Sequence, residues 1–131
     1  MRDYQSKKNN QYYMDDRLWR KTLFVIRDYY RLKAEYDDRL GEGMNSGSEV
    51  PVGKTNKTGD PTGLKAVKLA VISEQIRAIE KARLVIPYEY MDGIWDSIQY
   101  YSRYPGNADR HTYGRWKRIY VWEVAKNLHW I

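Results

Sequence analysis

Two prolines, Pro61 and Pro87, bracket the longest regular stretch of the chain and limit what it can form. Proline breaks a helix from inside, but it is favourable at the first helical position because no hydrogen bond is lost there. Asp60 stands directly before Pro61 as a good N-cap. Between the prolines, apolar residues recur at steps of three and four. This spacing predicts a helix over residues 60–86.

The apolar residues of this predicted helix lie on two adjacent faces. One face carries Leu64, Val67, Val71, Ala78, Ala82 and Val85, and the other carries Leu69, Ile72, Ile76, Ile79 and Ile86. Two apolar faces predict that more than one neighbouring element covers the helix.

The segments before this helix divide by composition. Residues 1–14 are polar without periodicity and predict a flexible arm, whereas the apolar spacing over 15–40 predicts a helix with an aspartate N-cap. Gly41 marks the end of that helix, and the Gly-, Ser- and Asn-rich residues 41–59 predict a mobile loop.

The segments after it are shorter. Pro87 starts a third predicted helix over 87–101, and Gly93 within it predicts close packing because glycine costs roughly 1 kcal/mol against alanine in a helix. Pro105 and Gly106 form a turn before a last helix over 109–129. The expected fold is all-α: a single domain of four helices, in which a long antiparallel pair joins a C-terminal helical pair.

The basic charge of the chain is concentrated at one end. The net charge is +6, and residues 101–131 contain six basic and two acidic residues. Such a distribution is typical of a surface that binds a polyanion, although it also fits a solvated helix face. The 13 tyrosines and five tryptophans suit half-wet surfaces, interfaces and stacking as well as cores.

The last helix carries this charge in its first half. At roughly 100° per residue, Trp116 and Ile119 share one side, and Arg115 and Lys117 share the other. In the second half the apolar residues move to the arc that was basic before. We therefore expect the two ends to pack differently, with residues 121–128 in the core and a basic face on the first turns.

A basic helix start suits nucleic acid, because helix N-terminal amides favour phosphate and arginine or lysine binds phosphates and guanine edges. The alternative is that these residues only keep an aromatic helix soluble. The predicted DNA-binding residues are Arg103, Arg110, Thr112, Tyr113, Arg115, Lys117 and Arg118. Lys7 and Lys8 are expected to assist.

Four segments together resemble phage transcriptional regulators of the RinA/ArpU type. They are LWRKTLFVIRDYYRLKAEYDDRL, GDPTGLKAVKLA, IPYEYMDGIWDSI and RHTYGRWKRIYVWEVAKNL, within residues 17–40 and 59–131. The resemblance implies a DNA-binding protein of phage or prophage late genes, with a C-terminus similar to the helix-turn-helix of sigma-factor region four. It assigns recognition-helix positions to the predicted DNA-binding residues of the last helix.

The sequence departs from that pattern between Tyr100 and Asp109, where the chain is too short for the extra helix of a sigma-like reader. Either this loop replaces the turn, as in a degenerate helix-turn-helix, or the reading unit is lost and the scaffold is kept. The alternative function is accordingly a non-enzymatic scaffold or assembly protein of phage origin that binds a protein partner or a second copy of the chain.

Other kinds of site find little support. His111 and His129 have no acidic residue at ligand spacing, and no nucleophile has an adjacent base. We expect no metal, no cofactor, no small-molecule substrate and no enzymatic activity. Without cysteines, a signal peptide or an apolar run of membrane-spanning length, a cytoplasmic protein is expected.

Overall fold

The structure, a computed structural model, describes residues 10–49 and 61–131 and contains only α-helices as regular structure there. The helices are α1 Asp16–Arg27, α2 Tyr29–Glu49, α3 Pro61–Arg83, α4 Tyr88–Tyr100 and α5 Arg110–Asn127. The predicted all-α class is confirmed, but the count in the described part is five helices and not four.

The extra helix arises because the predicted helix over 15–40 is divided at Asp28. Its backbone has φ −86° and ψ 3°, outside the helical region, and its N–H donates to the carbonyls of Phe24 and Val25. The C-terminal ends of α1 and α4 each donate one side-chain hydrogen bond to the other. Arg27 Nε donates to the carbonyl oxygen of Ile98 at 2.9 Å, and Gln99 Nε2 donates to the carbonyl oxygen of Ile26 at 2.6 Å. These bonds satisfy carbonyl groups that a helix end leaves without partners.

The predicted mobile loop over 41–59 is wrong for its first part, because α2 continues to Glu49. Glycine and serine lower helix propensity, but only proline blocks a helix sterically, and the first proline after Gly41 is Pro51. The rest of that prediction, residues 50–59, lies outside the described residues.

The predicted arm over 1–14 also needs correction at its end. Residues 1–9, including Lys7 and Lys8, lie outside the described part. Met14 is only 2% exposed, and the ring of Tyr12 meets the ring of Trp122 edge-on at 5.2 Å. The last residues of this segment therefore pack onto the helical body.

Helix α3 packs against both α2 and α5. Of its two predicted apolar faces, the one with Ile72, Ile76 and Ile79 is buried, but the other is buried only at Ala78 and Ala82, because Leu64, Val67, Val71 and Val85 are exposed. Tyr29 and Lys33, in the first turns of α2, contact Glu80 near the end of α3, so α2 and α3 run antiparallel. Tyr120 and Asn127 of α5 donate to carbonyl groups of α3, at 3.4 and 3.1 Å respectively.

The hydrophobic core draws on every helix. Its members include Trp19, Leu23 and Ile26 of α1, Leu32 of α2, Ile76 and Ile79 of α3, Ile94 and Ile98 of α4, and Val121 and Val124 of α5. Helix α4 packs against α1 and α5. Gly93 makes the last contact close, since a Cβ there would lie 2.7 Å from Pro105 Cδ and 2.8 Å from Tyr113 Cε1. The close packing predicted at Gly93 is confirmed.

Candidate nucleic-acid interface

The connection from α4 to α5, residues 101–109, anchors the start of α5 through Tyr113. The Tyr113 side chain is fully buried; its ring stacks on Tyr104 at 4.8 Å and meets Tyr90 edge-on at 5.3 Å. Its hydroxyl donates to Asn107 Oδ1. The prediction that Tyr113 contacts DNA is therefore not supported by this structure, because its hydroxyl is used inside the fold.

The buried side of α5 is one continuous stripe. Its members are Tyr113, Lys117, Tyr120, Val121, Val124, Ala125 and Leu128. They recur at steps of three and four, which keeps them on one face of a helix. The predicted change of side halfway along α5 is wrong.

The prediction failed because Lys117, a charged residue, occupies a position within this buried stripe. Lys117 lies four residues after Tyr113 and four before Val121, and it is only 3% exposed. Its Nζ atom lies 3.4 Å from Oγ of Ser97, which is itself buried. Lys117 faces α4 and not solvent, so it does not belong to the exposed basic surface.

The outward side of α5 carries a second stripe, which we call the outward face. Its members are His111, Arg115, Arg118, Trp122 and Lys126, spaced by four, three, four and four residues. Arg118 and Trp122 are half-buried, and the other three are exposed. At 1.5 Å per residue the stripe is about 22 Å long.

Trp122 and Lys126 are not among the predicted contacts, and the sequence places Trp122 in the core. In the structure Trp122 is half-buried and packs against the core from its edge. Tyr12 covers part of the Trp122 ring, and Lys126 Nζ lies 5.4 Å from the centroid of the Trp122 ring. The signal that identifies both residues is the helical spacing counted forward from Arg115.

Three further predicted contacts surround the first turn of α5. Arg103 and Arg110 are exposed, and Thr112 is half-buried. Asp109 is the N-cap, but its carboxylate makes no capping hydrogen bond; only its carbonyl accepts, from the N–H groups of Thr112 and Tyr113. The exposed carboxylate of Asp109 opposes an anion at this helix end.

Three arginines of the first two helices are paired with carboxylates, unlike the arginines around the start of α5. Arg20 lies 3.2 Å from Asp16, Arg31 lies 2.6 Å from Asp28, and Arg39 lies 2.9 Å from Glu35. A hydrogen bond from Arg31 holds the pKa of Asp28 below its usual value, and a hydrogen bond from Arg39 does the same for Glu35.

No described carboxylate lies within 4 Å of the four arginines around the start of α5: Arg103, Arg110, Arg115 and Arg118. These four arginines therefore concentrate positive charge that no described acidic group offsets at short range.

Two other kinds of feature are absent from residues 10–49 and 61–131. No cluster of three or more His, Asp or Glu side chains there could hold a metal ion. No helix in this part of the chain is long and apolar enough to cross a membrane.

The fold and this site define an all-α protein with a basic surface on its last helix. The chain matches no protein-family model, no curated protein and no solved structure. The resemblance to RinA/ArpU-type regulators therefore stays a prediction.

Proposed function

We propose that the protein is a phage or prophage transcriptional regulator that binds duplex DNA through the outward face of α5. The observation that carries this proposal is the set of four arginines around the first half of α5 without a described acidic partner. Arginines held in this way engage phosphates without first breaking an ion pair, and they also bind guanine edges in the major groove.

The shape of the helix supports the proposal. An α-helix with its side chains is 10–12 Å across, which suits a major groove about 12 Å wide. The opposite side of α5 is anchored in the core through Tyr113, Tyr120 and Val124. The outward arginines therefore stand on a rigid support, and little order has to be gained on binding.

The proposed contact does not use a regular helix-turn-helix. That motif joins its helices by a turn of about three or four residues, whereas residues 101–109 separate α4 from α5. In the proposed complex α5 reads the groove, and Arg103 of the long connection contacts the phosphate backbone beside it. The term degenerate helix-turn-helix describes this arrangement.

The test is a fluorescence anisotropy titration with duplex DNA from the genomic region around the gene, at about 50 mM salt. Replacing Arg115 and Arg118 by alanine should lower affinity by about tenfold or more, because two phosphate or base contacts are lost. The matched control replaces Arg20 and Arg31, which are also exposed but are paired with Asp16 and Asp28. The control should retain the affinity of the unaltered protein.

Two results would contradict the proposal. One is no measurable duplex binding by the unaltered protein at low salt. The other is an equal loss of affinity in both double variants, which would show that only net charge matters. Circular dichroism of each variant checks that its helices are intact.

A scaffold or assembly role is the second candidate, and exposed apolar side chains favour it. Phe24 is 73% exposed, Leu84 is 86% exposed and Tyr88 is 90% exposed. Large exposed apolar side chains suit protein interfaces. If duplex binding is absent while replacing these three residues by serine prevents co-purification of a phage protein, this second role replaces the first.

A further inference from the structure

A groove lies between α3 and the C-terminal end of α5, at the far end from the predicted DNA contacts. Its volume is about 770 Å³. The α3 side includes Ala70, Ser73, Arg77 and Lys81, and Lys126 belongs to the α5 side. The proposed DNA contact rests on the arginines around the start of α5, and Lys126 is the member of the outward face that also lines this groove.

The sides of the groove are basic. Arg77, Lys81 and Lys126 are exposed, and Glu74 is the acidic side chain in the lining. None of these three cations has a carboxylate within 4 Å in the described part of the chain. A bound molecule with several carboxylates would therefore form ion pairs with these three cations, and no existing ion pair in the groove would have to break.

The floor of the groove has a different character. Ala70, Ser73 and Ala78 have small side chains, which let the backbone of another helix approach closely. Two exposed valines of α3 lie beside the groove: Val67 precedes Ala70 by three residues and is 60% exposed, and Val71 precedes Ala78 by seven residues and is 52% exposed. Residues three, four or seven apart share one side of a helix, so Val67 and Val71 lie on the side of α3 that carries the two alanines.

From the basic sides and the small, apolar floor we infer that this groove docks an acidic amphipathic helix of a partner protein. Its apolar side chains pack on Val67, Val71 and the alanine floor, and its carboxylates pair with Arg77, Lys81 and Lys126. This is the helix-in-groove mode of recognition. A nucleic-acid strand would match the cations, but its phosphates would gain nothing from the alanines and valines. The observations therefore favour a protein.

The probe is a fluorescein-labelled synthetic peptide of roughly 14 residues, about four helical turns, with leucine along one face and glutamate on the others. A second peptide keeps the leucines and replaces each glutamate by lysine. Anisotropy with the full chain should show saturable binding of the glutamate peptide alone. In an amide NMR spectrum, the glutamate peptide should shift resonances of Ala70, Arg77 and Lys126.

Three variants locate the binding. Arg77→Gln with Lys81→Gln should weaken binding of the glutamate peptide by about tenfold, as loss of two ion pairs to a desolvated partner does. Ala70→Trp fills the floor without changing charge and should weaken it similarly. Arg115→Gln with Arg118→Gln removes the same charge elsewhere and should leave peptide binding unchanged, while it lowers duplex affinity.

The outcomes separate this inference from the proposed DNA function. Loss of peptide binding with unchanged duplex affinity in the groove variants supports the docking site. The inference is overturned if the glutamate peptide does not bind, or if it shifts resonances only outside the groove. It is also overturned if duplex DNA displaces the peptide and the groove variants lose duplex affinity. In that case the groove is a nucleic-acid contact.

Discussion

At the scale of single residues, Gly93 shows how a local preference is reversed by packing. Alanine normally stabilises a helix relative to glycine, by roughly 1 kcal/mol. At Gly93, however, a methyl group would lie within 3 Å of both Pro105 and Tyr113. The Pro105 ring is stiff, and Tyr113 is fully buried, so neither neighbour can move away cheaply.

Gly93→Ala should therefore lower the free energy of unfolding, by about 1–3 kcal/mol as overpacked cores do. Gly41→Ala is the matched control, because α2 is helical at Gly41 and no atom lies within 4 Å of the added methyl group. It should stabilise the protein by about 0.5–1 kcal/mol. Urea unfolding followed by circular dichroism measures both. Equal effects of the two substitutions would contradict the close contact.

Lys117 is a charged residue that occupies a buried position in the core. Lys117→Met keeps much of the side-chain volume and removes a buried ammonium group. Because the residue is 3% exposed, we expect duplex affinity to stay unchanged. The free energy of unfolding should fall by about 1–3 kcal/mol, because the buried Ser97 hydroxyl loses its hydrogen bond to Lys117. Arg115→Met is the control and should reduce affinity without changing stability. A loss of affinity in Lys117→Met equal to that of the control would mean that Lys117 reaches DNA.

At the scale of helices, the α2–α3 contact contains a group that titrates at high pH. Burial, together with the hydrogen bond that the Tyr29 hydroxyl donates to Glu80 at 2.5 Å, raises the pKa of Tyr29 to about 12. The phenol is thus held neutral in the fold. Its contribution to stability is full below pH 10, the ordinary pKa, and it is lost as pH rises through about 12.

Tyr29→Phe should therefore flatten the fall of the unfolding free energy between pH 10 and pH 12. The substitution also removes one hydrogen bond, so stability at neutral pH should be lower by about 1 kcal/mol. Urea titrations at several pH values measure both effects. Burial also raises the pKa of Tyr120, and the charge of Tyr29 adds to that rise, so part of the difference between the two proteins comes through Tyr120. Identical pH profiles of the two proteins would contradict this prediction.

At the scale of the whole molecule, the proposed function predicts a salt dependence. If the four arginines around the start of α5 each contact one phosphate, the logarithm of duplex affinity should fall against the logarithm of salt concentration with a slope of about −3.6. Removing Arg115 and Arg118 should halve that slope to about −1.8. Titrations from about 50 to about 200 mM salt measure it. A slope near zero would exclude phosphate contacts as the basis of binding.

The all-helical class and the close approach at Gly93 could both be predicted from the sequence. Prolines and helical spacing are local features, so they determine where helices form without reference to distant parts of the chain. Helix α3 does pack against two elements, α2 and α5, but the predicted face with Val67, Val71 and Val85 is largely exposed. Five of the seven predicted DNA-contact residues, all but Tyr113 and Lys117, keep at least partial solvent exposure.

Only the tertiary structure decided which parts of each face are covered. Helical spacing places Lys117 in line with Tyr113 and Val121. Because Lys117 is charged, the sequence prediction put it on the exposed side and moved the buried side of α5 halfway along the helix. The break at Asp28 depends on bonds between the ends of α1 and α4, whose residues are about 70 positions apart in the chain. The groove needs α3 and α5 side by side. Burial is decided by neighbours distant in the sequence, and residue type alone does not determine which neighbours meet.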